Sequence, residues 1–382
     1  MRTRCSKYNL GVSKSSVFQG ATSMSIVKIF VGLDYHQDKV QACVLDETGR
    51  VLSNRAVRND AKLIRALAEQ HGQIEAAAIE ACCGAANMAQ ELVDQGWCVS
   101  LAHPGYVARM KQNPDKTDFT DARLLADLLR VGYLPKVWLA PERIRVLRRL
   151  VRFRQELVDA RRSVKLRIRA LLRENRLKAP EELSPWTKGW LAWLRDTAPL
   201  GEDDRWMMTQ HLERLGELSA RITAAEKRLA ERTKDDAVVQ KLLEQPGVGP
   251  ITAVTLRAEI GHFDRFHSGK QLAKFCGVTP RNASSGDKQA DAGLIRAGNP
   301  QVRRVLIELA HRLINTLDER WAKLAAKLSH AGKKRNVVVC AIANRWVRWL
   351  FHQMQPAAVI AEAATAAAAP SIRHESSFEK DV

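Results

Sequence analysis

Ile29-Phe-Val-Gly-Leu-Asp34 is an apolar run that ends in an acid, a pattern that predicts a buried strand with a carboxylate at its carboxyl end. Glu80 closes a second apolar run of the same kind. Asp118 and Asp121 stand three positions apart at the start of a helical pattern, and this spacing puts both side chains on one helix face. We therefore expect two strand ends and one helix to bring four carboxylates together.

Four carboxylates in this arrangement suit a pair of divalent metal ions. Mg²⁺ prefers oxygen ligands, keeps some of its water and accepts further oxygens from phosphate groups. Two such ions stabilise both the attacking and the leaving oxygen of a phosphoryl transfer. Taken singly, a carboxylate can instead cap a turn, pair with a surface base or favour a helix N-terminus. As an ordered set, the four acids predict a metal centre that acts on a nucleic-acid backbone.

The charge balance favours the same class of substrate. The chain carries 61 Lys and Arg residues against 42 Asp and Glu residues, a formal net charge of +19 that suits a polyanionic partner. The alternative is a merely basic protein. No stretch reads as long and apolar enough to span a bilayer. Seven cysteines without a CxxC pair predict a reduced, cytoplasmic protein without structural zinc.

The predicted fold class is α/β plus α, and residues 27–140 are expected to form a ribonuclease-H-like domain. Strands over 28–34, 40–46 and 50–57 form a meander, after which helices and strands alternate. Asp60 is predicted to cap the next helix, and the last strand of the domain is expected at 97–102. His36, two residues after Asp34, projects to the same side of an extended chain and could touch the site, but a surface histidine is the favoured interpretation.

Residues 141–235 are predicted to form a helical, coiled-coil arm. One long helix is expected from about 141 to 177, and a second amphipathic stretch over 212–229 could return antiparallel against it and serve for dimerisation. Between Arg143 and Lys178 there are fourteen Lys or Arg residues against three acids. A solvated basic face is one interpretation. The strength of the bias favours contact with backbone phosphates, with these candidate residues: Arg148, Arg152 and Arg162.

Residues 236–355 form the predicted second domain, which is mostly helical. Gly247 and Gly249 flank one apolar residue between two helical patterns, and the segment resembles a helix-hairpin-helix. Glycines let backbone N–H groups approach a phosphate, and the following helix N-terminus favours an anion. A tight interhelical turn without a ligand is an equally good interpretation.

A Ser-Ser-Gly loop lies between Pro280-Arg281 and a basic helix in the same domain. Arginines around it can hold a phosphate by forked hydrogen bonds. From chemistry alone, a phosphate-binding loop is the better interpretation, because serine is a poor nucleophile without an activating base or metal. The candidate phosphate-binding residues are Arg281, Arg296, Arg303 and Arg304.

Both ends of the chain are predicted to be disordered. Residues 1–26 contain no acid and are rich in Ser, Lys and Arg, which is typical of a disordered segment or a transit peptide. An upstream start codon is as good an explanation, because Met24 directly precedes the first strand. Residues 356–382 are Ala-rich and then polar, which predicts a loose tail.

Over residues 28–350, the chain resembles the DEDD transposases of bacterial insertion sequences, also called bridge-RNA-guided recombinases. The resemblance is carried jointly by five motifs: Gly32-Leu-Asp34, Glu80, Lys116-Thr-Asp-x-x-Asp-Ala122, Pro246-Gly-Val-Gly-Pro250 and Pro280-Arg-x-x-x-Ser-Gly286. It implies that the first domain is RuvC-like and that it binds two Mg²⁺ ions, for which Mn²⁺ can substitute. The implied ligands are the four acids Asp34, Glu80, Asp118 and Asp121.

The resemblance also implies that the second domain is a transposase domain with Ser285, or its neighbour Ser284, as nucleophile. Serine attack on a DNA phosphodiester yields a phosphoserine link and a free 3′-hydroxyl. The implied partners are donor and target DNA and a non-coding bridge RNA that pairs with both. The acids and the serine are about 165 positions apart, and the resemblance implies composite active sites in a homodimer or homotetramer.

Two other functions remain open at this stage. A metal-only, RuvC-like structure-specific nuclease would use water as nucleophile and Ser285 only to bind phosphate. A non-catalytic RNA- or DNA-binding scaffold would have kept the fold alone, and the intact carboxylates argue against it.

Overall fold

The computed structural model describes residues 27–111, 117–282, 291–294, 298–315 and 319–356. The chain divides into two compact units, one up to Leu139 and one from Ala140. The two predicted disordered ends, 1–26 and 356–382, lie outside the described residues, with the exception of Pro356.

Within its described residues, the first unit contains six strands and four helices. The strands are β1 Lys28–Tyr35, β2 Lys39–Asp46, β3 Val51–Arg58, β4 Gln73–Glu80, β5 Val99–Ala102 and β6 Lys136–Val137. The helices are α1 Ala61–Glu69, α2 Ala85–Asp94, α3 Pro104–Met110 and α4 Asp118–Arg130.

The six strands form one mixed sheet in the order β3-β2-β1-β4-β5-β6. The first three strands are an antiparallel meander, and β4 and β5 continue the sheet in parallel with β1. This confirms the predicted mixed α/β class and is compatible with a ribonuclease-H-like domain. The short β6, which pairs antiparallel with β5, was not predicted. Trp97 and Cys98 precede β5 rather than belong to it, and Trp97 is buried against the core.

The two faces of the sheet have different partners. Ile29, Val31 and Leu33 of β1 share a buried core with residues of α1 and α2. The alternate positions of the strand, including Gly32 and Asp34, point to the opposite face because side chains alternate along a strand. That face packs against α3 and α4.

Helix α4 lies unusually close to β1 at Gly32. A Cβ at this position would overlap the carbonyl oxygen of Ala122 and lie 2.5 Å from the amide nitrogen of Ala126. Both alanines are fully buried against Cys43 and Leu45 of β2. Small residues on the helix and a glycine on the strand thus let the two backbones meet.

The second unit is mostly helical. Its helices are α5 Glu142–Glu174, α6 Lys188–Ala192, α7 Glu202–Thr233, α8 Ala237–Leu243, α9 Pro250–Ile260, α10 Gly269–Phe275, α11 Pro300–Asn315, α12 Glu319–His330 and α13 Arg335–Gln353. Two short strands, β7 Pro280–Asn282 and β8 Asp291–Leu294, pair antiparallel. In the described part of the chain, none of these helices has the length and apolar character needed to cross a bilayer.

Helices α5 and α7 pack against each other in opposite directions. Arg154 near the start of α5 pairs with Glu226 near the end of α7 at 2.5 Å. Further along α5, Arg167 acts electrostatically on His211 near the start of α7. The long helix and its antiparallel return, both predicted from apolar periodicity, are therefore confirmed.

Helices α8 to α13 share one buried hydrophobic core. Every residue of α9 from Thr252 to Ile260 is buried. Its Arg257, 1% exposed, donates to Asp236 at 2.8 Å and to the carbonyl oxygen of Gly261 at 2.6 Å. A buried guanidinium needs such partners because an uncompensated charge in the core is strongly destabilising.

We predict that Gly32→Ala disturbs the contact between β1 and α4, because the new methyl group overlaps helix backbone that cannot move aside locally. Overpacking of this kind costs on the order of 1–3 kcal/mol. Hydrogen exchange should rise in peptides from β1 and α4. Gly216→Ala is the control, because Gly216 lies within α7 with open space around it and alanine favours a helix. Unchanged exchange in the Gly32 variant would contradict the account.

Candidate metal centre and nucleic-acid interface

Asp34 and Glu80 lie at neighbouring strand ends. Strands β1 and β4 run parallel, and Leu33 is level with Ile79 in their register, so the two acids occupy the next positions. Glu80 is two residues after Ala78, so both side chains point to the same face of the strand. Ala78 is buried on the face that packs against α3 and α4. Both carboxylates therefore belong to the same edge and the same face of the sheet.

The first turn of α4 supplies the other two acids. Thr117 is its N-cap and accepts a hydrogen bond from the amide of Thr120 at 3.2 Å, so the helix begins at Asp118. Asn54 on β3 donates to the carbonyl oxygen of Phe119 at 3.0 Å and accepts from Gln41 of β2 at 2.7 Å. This polar chain fixes the first turn of α4 against the sheet.

His36 joins Asp34 to Asp118. Its Nε2 lies 3.3 Å from Asp34 Oδ2 and 3.2 Å from Asp118 Oδ1. The three residues offer donor atoms that all lie within 4.8 Å of one another. His36 is thus exposed, as expected of a surface histidine, with 44% of its side chain accessible, and it also contacts the two acids. Its spacing of two from Asp34 had indicated that such a contact was possible.

Negative charge is crowded at this site. The pKa of Asp34 is raised above its ordinary value, first because burial disfavours the charged form and then because Asp118 and Asp121 repel it. His36 acts in the opposite direction. Burial also raises the pKa of the Cys82 thiol, and the charges of Glu80 and Asp34 add to that shift. The acids of both strand ends and of α4 thus act on one small region.

Two lysines that sequence reasoning missed hold the helix acids. Lys39 contacts Asp118 Oδ2 at 3.2 Å, and its hydrogen bond is the main reason why the pKa of Asp118 is below its ordinary value. Lys111 donates to Asp121 Oδ2 at 2.6 Å, and the Asp121 side chain is only 7% exposed. Lys39 follows the β1–β2 turn and Lys111 follows α3, so no local pattern pairs them with α4.

The donor set fits a divalent cation. Carboxylate oxygens are the preferred ligands of Mg²⁺, and imidazole nitrogen is compatible with Mn²⁺ and other transition metals. Asp34 and Asp118 present oxygens toward one point beside His36. Asp121 stands on the same face of α4, where Lys111 holds it, and Glu80 flanks the group on β4.

The Gly247 turn joins α8 to α9, and a helix-hairpin-helix stays a prediction. Gly247 has φ of +75°, a backbone conformation that favours glycine, and a Cβ there would press on Leu309 and Leu313 of α11. Arg312 donates to its carbonyl oxygen at 3.1 Å. Gly249 has open space around it. Gly247 thus has a packing role, and a phosphate role stays a prediction.

Ser284, Ser285 and Arg296 lie outside the described residues, but both ends of their segment are described. Strands β7 and β8 pair with each other and precede and follow the two serines in the chain. Beyond β8, Asn299 donates its backbone N–H to the Phe275 carbonyl at 2.8 Å, and the backbones of Gly277 and Gly298 touch. Arg281 is exposed on β7.

Arg148 and Arg152 of α5 are engaged within the protein. Arg148 donates to the carbonyl oxygens of Ala258 and Glu259, at 2.7 and 3.2 Å. Arg152 makes two bonds to the Glu259 carboxylate, at 2.9 and 3.0 Å, and Asn299 donates to it at 2.8 Å. Glu259 is 2% exposed. These arginines tie α5 to the end of α9.

The other predicted phosphate-binding arginines differ in their surroundings. Arg303 donates to the carbonyl oxygen of Gly298 at 2.9 Å. Arg304 contacts both carboxylate oxygens of Asp159 on α5, at 2.9 and 3.1 Å. Arg162 is exposed on α5. Arg152 and Arg304 also keep 52% and 44% of their side chains exposed, but each is bound to an acid. Arg162 and Arg281 are exposed and make no ion pair with another described residue.

Comparison with known proteins assigns both units to one group. Residues 31–176 match the DEDD transposase family of IS110 elements, described as "Transposase". Residues 239–326 match "Transposase IS116/IS110/IS902 family". The first match contains all four acids of the site, and the second contains the Gly247 turn and both Ser284 and Ser285.

Individual relatives extend along most of the chain. A "Transposase for insertion sequence element IS1111A" from Coxiella burnetii is 27% identical, over 86% of this chain and 90% of its own length. A "Probable family 20 transposase" from Pseudomonas aeruginosa is 30% identical, over 72% of this chain and 82% of its own. The "Transposase for insertion sequence element IS1328" from Yersinia enterocolitica is 28% identical, over 71% and 81%. The chain therefore belongs to the DEDD transposases of insertion sequences, enzymes that cut and rejoin DNA.

Proposed function

We propose that this transposase exchanges DNA strands with a serine nucleophile and two divalent metal ions. The nucleophile is Ser285, and the ions are Mg²⁺ held by these acids: Asp34, Glu80, Asp118 and Asp121. The observation that carries the proposal is the convergence of Asp34 and Asp118 at one edge of the sheet. Their donor atoms and that of His36 all lie within 4.8 Å of one another. Glu80 and Asp121 flank that group.

The chemistry gives each group a defined task. The ions would stabilise the negative charge that develops on the phosphoryl oxygens. The Ser285 Oγ loses its proton and forms a bond to phosphorus, while the bond from phosphorus to the 3′-oxygen breaks and that oxygen gains a proton. The phosphoserine link keeps the energy of the phosphodiester, so a 3′-hydroxyl of another strand can reverse the step without ATP.

The proposed partners are donor and target DNA, a non-coding bridge RNA, and further copies of the chain in a homodimer or homotetramer with composite active sites. The net charge of +19, from 61 basic and 42 acidic residues, supports nucleic-acid partners. The proposed location is the cytoplasm, at the bacterial nucleoid. Among the nucleic-acid-binding candidates, we propose that Arg162 and Arg281 contact phosphates directly. Arg148 and Arg152 would contribute by holding the basic helix α5 in place.

We predict that Mn²⁺ or Mg²⁺ raises the melting temperature of the protein and that Asp34→Asn abolishes this shift, because an ion that binds only the folded state stabilises it. Without metal, the variant should melt no lower than wild type. The raised pKa of Asp34 means that its charged form works against folding above that pKa, and asparagine removes the charge.

Asp46→Asn is the matched control for this melting experiment. Asp46 accepts hydrogen bonds from Thr48 and Arg50 in the β2–β3 turn, and chiefly the Thr48 hydroxyl bond lowers its pKa. Its charged form therefore stabilises the fold above the ordinary carboxyl pKa, and that stability is lost as the pH falls. The control should melt lower than wild type yet keep the metal shift. A metal shift that survives in Asp34→Asn would contradict the assignment.

We predict a covalent protein–DNA adduct that survives denaturation when the purified protein is mixed with labelled junction DNA, element-derived RNA and Mg²⁺. The adduct should form in wild type and in Ser284→Ala, which serves as the control, and be absent in Ser285→Ala and Asp118→Asn. Cleavage by Ser285→Ala without an adduct would mean that water is the nucleophile, as in a RuvC-like nuclease. No cleavage under any condition would support a non-catalytic scaffold.

A further inference from the structure

We propose that His36 is itself a ligand of the metal centre, and that its imidazole makes the site favour Mn²⁺ over Mg²⁺. The inference rests on the proposed metal-dependent function and adds a nitrogen donor to a set of acids. It concerns the choice of ion as well as the binding of one.

The distances from His36 Nε2 to the two carboxylates are close to those between neighbouring ligands on one ion. Ligands at about 2.1 Å from an octahedral metal are about 3 Å apart at right angles and about 4.2 Å apart on opposite sides. His36 Nε2 lies 3.3 Å from Asp34 Oδ2 and 3.2 Å from Asp118 Oδ1, and the donor atoms of all three residues lie within 4.8 Å of one another. This spacing fits three ligands of a single ion.

Hydrogen bonding alone explains this position of the ring poorly. The Nε2 atom carries at most one hydrogen, which two carboxylates can share only in a bifurcated bond that is weaker toward each of them. Both separations also exceed the roughly 2.7–2.9 Å of a charge-assisted N–H···O bond. Lys39 already supplies Asp118 with a cationic partner on its other oxygen. A position between two carboxylate oxygens is what a third ligand requires.

The backbone that carries the ring is fixed by its own hydrogen bonds. The His36 N–H donates to the Lys39 carbonyl at 3.0 Å. Asn59, which follows β3, donates its side-chain amide to the carbonyls of His36 and Gln37 at 3.1 and 2.8 Å. Its backbone N–H donates to the Asp38 carbonyl at 3.1 Å. Such supporting bonds orient a ligand before the metal binds and strengthen the site.

The ligand type determines the preference for an ion. Sites of carboxylate and water alone suit Mg²⁺, whereas imidazole gains more from transition metals. Asp34 and Asp118 with His36 form a mixed oxygen and nitrogen set that either ion can occupy. The nitrogen donor should contribute to Mn²⁺ affinity much more than to Mg²⁺ affinity.

The test is electron spin-echo spectroscopy of Mn²⁺ bound to the full-length protein, which detects nitrogen coordinated to the ion independently of catalysis. Wild type should show the coupling of a directly bound imidazole nitrogen, and His36→Gln should lose it. The variant should also bind Mn²⁺ at least about tenfold more weakly, the lower end of the loss seen when supporting residues of metal sites are removed. Its ratio of Mn²⁺ to Mg²⁺ affinity should fall.

His71→Gln is the matched control, because His71 precedes β4 at the end of the strand opposite to Glu80. It should keep both the nitrogen coupling and the wild-type affinities. If Mn²⁺ binds in an Asp34-dependent manner without nitrogen coupling, the role of His36 is refuted and the proposed metal centre stands. If wild type binds no Mn²⁺ at all, the proposed function itself fails.

Discussion

The contact between α4 and β1 at Gly32 is the constraint on which the proposed metal centre depends. Because glycine has no Cβ, the backbone of α4 reaches the sheet beside Ala122 and Ala126. Asp118 lies one turn before Ala122 and Asp121 directly precedes it, so the same contact brings their carboxylates toward Asp34. Gly32, two residues before Asp34, is thus needed both for the packing of α4 on β1 and for the placement of the acids.

The second determinant is the balance of charge around the acids. Burial and mutual repulsion raise the pKa of Asp34, while Lys39 and Lys111 neutralise the two acids of α4. Lysines therefore pair with the acids of α4, whereas the charged form of Asp34 remains disfavoured by its surroundings. Sites of this kind trade folding stability for function. A divalent ion would relieve the repulsion that the lysines leave.

Much of the fold was accessible from the sequence. Alternation and apolar runs predicted the meander and the strand that ends at Glu80, and apolar periodicity predicted α5 and its return in α7. These patterns are local. Strand β6 has only two residues, so it has no periodicity to detect. Trp97 looks like a strand residue by type, yet it packs into the core ahead of β5.

The surroundings of the charged residues were the part that sequence could not supply. Basic residues along α5 predicted phosphate contact, but they did not reveal that Arg152 also neutralises Glu259, which is buried 107 positions away. Lys111 and Lys39 reach the acids of α4 from a helix end and a turn. Partner choice between distant charges depends on tertiary packing, which composition and periodicity do not encode. The proximity of the acids was predictable, because a strand end and a three-residue spacing on a helix limit the directions in which their side chains can point.

Anomalous X-ray scattering from a crystal of the protein grown with Mn²⁺ would test the central claim most directly, because it locates the ion without reference to activity. The account predicts an anomalous peak within bonding distance of Asp34 and Asp118, on the face of the sheet covered by α4. A peak elsewhere would contradict it. So would the absence of any peak at a Mn²⁺ concentration that saturates binding in solution.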